Sequence, residues 1–134
     1  MKIDGRYFVR FEFDHEQVRR NIENADRDLA IAKKIDIPEV KFNYAYSSFL
    51  KAGIALLSHH GIRAKSVPGH QVHIIRQAGQ LLNDRTIEEM GNLLRNKRNL
   101  DLYGGGIEVT EMECAEFVRF AARVIDRVKM ISEG

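Results

Sequence analysis

The chain has 134 residues, 44% hydrophobic and 30% charged, which suits one domain with one core and excludes a disordered chain. A lone cysteine, Cys114, excludes an internal disulfide framework and a multi-cysteine metal knuckle. With a net charge of +2, no apolar run of bilayer-spanning length and no signal-peptide core at the start, the expectation is a cytoplasmic protein without a membrane partner.

Residues 1–13 form an N-terminal arm in which Tyr7, Val9, Phe11 and Phe13 alternate with Phe8, Arg10 and Glu12, as in a short extended segment or an apolar arm laid on the core. Asp14, with Gln17 three residues on, has the capping-box pattern of a helix start. Val18, Ile22, Ala25, Leu29 and Ala32 keep the helical period to about residue 35. Ile37-Pro38 breaks that helix and opens a second over about 39–60, with Phe42, Ala45, Phe49, Ala52 and Leu56 on one side. Its many small residues permit close neighbours, which makes it the central helix. Gly61 ends it, and residues 62–69 read as a basic connector with Arg63, Lys65 and a Pro68-Gly69 turn.

A third helix takes His70 to about Leu82. Thr86 with Glu89 makes a second capping box, opening a fourth helix that runs to Tyr103 and the glycines Gly104–Gly106. Thr110 with Glu113 makes a third box, and Cys114, Phe117, Val118, Ala121, Val124, Ile125 and Val128 form the stripe of a fifth helix. The fold class is therefore all-α: an up-and-down bundle of about five helices, a four-helix core plus an additional helix, in a single domain over 1–134.

Chemistry gathers at the end of helix four. Arg95, Asn99 and Tyr103 lie at i, i+4 and i+8 on one face, with Arg98 beside them. Two guanidiniums, an amide and a phenol could hold a phosphate and handle a proton. Equally, cations near a helix C-terminus favour its macrodipole and bond its last carbonyls. Residues 40–83 carry five bases and no acid, a block that could face an anion. His59, His60, His70 and His73 cluster in sequence, yet no carboxylate lies among them and no zinc signature is present, so no metal is expected. The three glycines follow a helix and lack the lysine and hydroxyl residue of a phosphate loop. Cys114 falls on the core stripe and reads as a buried thiol.

The run Leu94-Arg95-Asn96-Lys97-Arg98-Asn99-Leu100-Asp101-Leu102-Tyr103-Gly104 resembles the signature of HEPN domains (higher eukaryotes and prokaryotes nucleotide-binding), in its tyrosine-bearing form. Arg98 matches the motif arginine, Asn99 the polar residue and Tyr103 the terminal position. Asp101 stands one place early, with Leu102 inserted before the tyrosine. The aromatic and small residues of 45–57, the Gly61-Ile62-Arg63 connector and the Gly69-His70 helix opening resemble the same family, over roughly 14–130. The resemblance implies a helical bundle that forms a homodimer with two arginine motifs in one cleft. It implies RNA or a nucleotide as ligand and no cofactor. Its activities would be a metal-independent endoribonuclease or the toxin of a toxin–antitoxin pair, or else a catalytically silent partner of a minimal nucleotidyltransferase. Arg98, Asn99 and Tyr103 would be catalytic, and Arg95, Asp101, Arg63 and Lys65 would bind ligand. Ribonuclease members carry histidine where this chain has Tyr103, and a phenol of ordinary pKa is a poor base at neutral pH.

Overall fold

The computed structural model describes residues 2–103 and 108–133, with side chains over 2–100 and 108–133. Among them run β1 (Phe8–Arg10), α1 (His15–Lys34), α2 (Pro38–His59), β2 (Ile62–Ala64), α3 (His70–Leu81), α4 (Arg85–Tyr103) and α5 (Glu111–Glu133). The fold is the all-α bundle that the sequence patterns imply, with one two-stranded sheet added. No helix of the described residues is long and apolar enough to cross a membrane.

Local chemistry sets the helix starts. The Asp14 carboxylate accepts from the Gln17 amide at 2.8 Å while the Gln17 side chain accepts from the Asp14 amide at 2.9 Å, closing a reciprocal cap on α1. Thr110 and Glu113 do the same for α5, both bonds at 3.0 Å. The expected Thr86–Glu89 box is corrected: the capping carboxylate lies two residues earlier. α4 begins at Arg85, and it is Asp84 whose carboxylate accepts from the Thr86 amide at 2.9 Å and the Thr86 hydroxyl at 2.6 Å.

α2 is the axis of the bundle, packing against α1, α3, α4, α5 and β2. Phe42, Ala45, Phe49, Ala52, Ala55 and Leu56 are buried along it, and each large apolar side chain removed from water stabilises by about 1.5–3 kcal/mol. Between α1 and α2 the buried carboxylate of Asp28 accepts from Ser47 Oγ and Lys51 Nζ, each at 2.7 Å. Lys41 reaches back to cap α1, donating to the Ala32 carbonyl at 2.8 Å and the Ile35 carbonyl at 3.2 Å.

The N-terminal arm and the presumed connector are partners. β1 and β2 pair antiparallel, Phe8 opposite Ala64, Val9 opposite Arg63 and Arg10 opposite Ile62. Phe8, Leu57, Ile62 and Ile74 make a small second core beneath the pair. Lys65 extends the ladder, its amide donating to the Tyr7 carbonyl at 2.7 Å.

Two features set how α4 lies on the bundle. Asn83 turns the chain between α3 and α4 with φ 51°, a left-handed conformation that asparagine tolerates. Arg127 of α5 clamps that turn, donating to Asp84 Oδ2 and to the Leu82 carbonyl, both at 2.8 Å. Farther along, Gly91 lets α4 lie directly on α2 and α3. A Cβ there would stand 2.7 Å from Ile75 Cγ2 and 2.8 Å from Phe49 Cζ, inside any van der Waals contact.

Candidate functional site

Gly91, Arg95 and Arg98 lie at i, i+4 and i+7, on one face of α4. The close approach at Gly91 therefore brings both arginines over α2. A cavity of about 490 Å³ opens there, walled by Tyr46 of α2, by 66–72 leading into the first turn of α3, and by Arg95, Arg98 and Asn99 of α4.

The site is cationic, and its electrostatics come from two elements, α4 and α3. Arg95 is half-buried; its Nε is buried with no hydrogen-bond partner among the described residues, while its Nη2 donates to Asn96 Oδ1 at 3.2 Å. Arg98 is half-buried and Asn99 exposed. No carboxylate lines the cavity among the described residues. α3 points its N-terminus into it: Gly69 at the cap has φ 81°, supplies no side-chain cap, and the first turn holds no acid. The positive end of that helix dipole is thus left open to an anion.

Tyr46 is the buried floor. Its hydroxyl donates to Gln71 Oε1 at 2.6 Å. Burial pushes its pKa up to about 12, against the pull of the Arg95 and Arg98 guanidiniums. It therefore stays a neutral phenol and serves as a hydrogen-bonding group rather than a base. His70 stands at the mouth of α3 with Nδ1 donating to the Val67 carbonyl at 2.8 Å in the neutral ring, which leaves Nε2 as the lone-pair nitrogen. The ensemble offers guanidinium and amide donors around an open concavity, the chemistry of an oxyanion receptor.

Of the residues singled out in sequence, Arg95, Arg98 and Asn99 meet in this cavity. Tyr103 closes α4 and Asp101 lies in its last turn; their side chains, and Gly104–Gly106, lie outside the described residues. Arg63 lines a different pocket, its guanidinium 4.8 Å from the Phe11 ring centre. Lys65 donates to the Gly5 carbonyl at 2.6 Å, on the arm. The acid-free block contributes differently from a positive face. Lys41 caps α1, Lys51 pairs with Asp28, and Arg76 meets Glu88 at 3.4 Å. What the block supplies is two cavity walls free of carboxylates, Tyr46 and 66–72.

Tyr46, Ser66, His70 and Gln71 were not legible as site residues. Their sequence signals were indirect: the absence of acids over 40–83, and for Tyr46 and His70 their place in the segments that resemble the HEPN family. The other histidines are occupied separately: His60 Nδ1 lies 3.0 Å from the Leu56 carbonyl at the end of α2, and His73 stacks on Tyr7 at 3.6 Å. Among the described residues no group of histidine, cysteine or carboxylates is placed to hold a metal ion. Cys114 is buried on α5, where desolvation raises its thiol pKa. No protein-family profile, curated protein or solved structure matches the chain.

Proposed function

We propose that the cavity binds the phosphate of RNA or of a nucleotide, in a HEPN-like protein that works as a homodimer. The observation that carries this reading is Arg95 beside Arg98 at the uncapped N-terminus of α3, in a concavity without a described carboxylate. Planar guanidiniums take phosphate in two-point contact, which an ammonium cannot do. Dimerisation draws support from Leu93 and Leu100, 44% and 57% exposed and two turns apart on α4 beside the arginines.

The test is a titration of inorganic phosphate and of mixed RNA at several salt concentrations, with Arg98→Ala as control. Binding that weakens as salt rises and disappears in the variant supports the reading. RNA held equally by wild type and variant would end it. A second reading, metal-independent RNA cleavage with Arg98, Asn99 and Tyr103 as the catalytic group, is favoured by the imidazole of His70, which lines the same cavity. Cleavage in EDTA that falls in His70→Gln would support it.

A further inference from the structure

Beside the cationic cavity lies a second pocket of about 230 Å³, floored by Ile54, Ile62 and Ile74, with Phe13 on its wall and Asn21 and Arg63 contributing polar groups. Its balance differs: the first cavity gathers Arg95 and Arg98, while this one has an isoleucine floor with Arg63 and a few hydrogen-bonding groups at its edge, the usual make-up of a site for a flat organic ring. The two share residues: Ser66 and His70 line both. Ser66 is exposed and the His70 ring is tied to the Val67 carbonyl, so the boundary between the pockets is low and fixed in place.

We infer that the ligand is a nucleotide unit straddling the Ser66–His70 boundary, with its phosphate among Arg95, Arg98 and Asn99 and its base in the apolar pocket. The inference rests on the phosphate reading above and adds what is joined to the phosphate. The sugar then lies against His70, between the two pockets. The pocket volume is several times the ~30 Å³ share of one water, room for a ring rather than for solvent alone. The Phe13 ring belongs to an edge-to-face pair with Phe11 at 4.7 Å, and Arg63 lies over Phe11. An aromatic ring is therefore already part of the wall on which a base would rest. Asn21 Nδ2 donates to Ser58 Oγ at 3.3 Å, which fixes the side chain and leaves its carbonyl oxygen as an acceptor.

The experiment is calorimetric titration of the full chain with ribose 5-phosphate, with adenosine 5′-monophosphate and with a single-stranded RNA pentanucleotide. Adenosine monophosphate is expected to bind about tenfold tighter than ribose 5-phosphate (~1.4 kcal/mol), the gain that base stacking supplies. Ile54→Trp fills the apolar pocket from a partly exposed helix position, so it should abolish that advantage and leave ribose 5-phosphate affinity within about twofold. Phe13→Ala, outside the helices, gives the same contrast if Ile54→Trp does not fold. Equal binding of the two ligands by wild type, or an advantage that survives both variants, overturns the base pocket and leaves the phosphate reading standing. Failure of every ligand to bind overturns both. Within a positive result, tighter binding of the pentanucleotide assigns the site to an RNA strand, and equal affinity assigns it to the free nucleotide.

Discussion

Replacing Gly91 by alanine tests whether close helix approach builds the site. The added methyl would stand 2.7 Å from Ile75 Cγ2 and 2.8 and 2.9 Å from Phe49 Cζ and Cε2. Ordinary carbon contacts are about 3.5–4.0 Å, so the helices must part by roughly an ångström or the ring must turn. Both Ile75 and Phe49 are buried, which leaves little room to yield. Overpacking of this kind costs about 1–3 kcal/mol, offset by up to ~1 kcal/mol of helix propensity gained on losing glycine. The net expectation is a loss of about 1–2 kcal/mol, a Tm lower by several degrees. Because Arg95 lies one turn beyond Gly91, phosphate affinity should fall with it. Gly53→Ala is the control, since its methyl meets Ile74 at 3.3 Å and Ala78 at 3.7 Å, a milder overlap that should cost clearly less than the one at Gly91. Thermal melts and phosphate titrations of both variants, plus Gly91→Ala combined with Phe49→Leu, make the measurement. If Gly91→Ala raises Tm, or if the smaller side chain at position 49 recovers none of the loss, the contact does not hold α4 in place.

Arg98→Ala should remove phosphate and RNA binding with a stability change under about 1 kcal/mol, because the side chain is only half-buried; melting and binding are read on the same sample. Burial would raise the Asp28 pKa, but Lys51, Ser47 and Arg27 overcome it and hold it below the ordinary carboxylate range. The stability that the pair contributes is therefore present above the unfolded carboxylate pKa and lost as pH falls through the lowered folded value. Asp28→Asn should cost about 1–3 kcal/mol at neutral pH and flatten the acid limb of a stability–pH curve; an unchanged acid limb would refute this. Light scattering at tens of micromolar should give twice the monomer mass, and Leu100→Glu should halve it. Cys114 should react slowly with a disulfide reagent in the native state and quickly in denaturant, and rapid native labelling would contradict its burial.

The helices were legible because their signals are local. Asp14 with Gln17 and Thr110 with Glu113 lie within one turn, and stripes such as Ile22, Ala25 and Leu29 repeat every turn. The start of α4 was misplaced because Asp84 and Thr86 are both good caps two residues apart, and only the backbone decides between them. The pairing of β1 with β2 was hidden for the opposite reason: each strand has three residues, too few for a period, and each partner lies far away in sequence. Half of the site was visible as well. Arg95, Arg98 and Asn99 share one helix, while Tyr46 and Gln71 meet them only through packing. Gly91 carries no periodic signal, since a glycine inside a helix shows its purpose only when its neighbours are in place.

The strand pair has a thermodynamic consequence for the cavity. A two-stranded ribbon is marginal on its own, so β1 and β2 hold together through the small core of Phe8 and Ile62 rather than through their ladder. Residues 66–69, one wall of the cavity, follow directly from that ribbon and are tied to the arm by Lys65 across sixty residues of chain. This is where the molecule should open first, releasing the wall while α1, α2 and α5 stay folded. A ligand that needs the wall in place must oppose that opening. Its binding should then be visible as slower hydrogen exchange at the Lys65 amide, which is bonded to Tyr7, and at the Phe11 amide, which is bonded to Gly61.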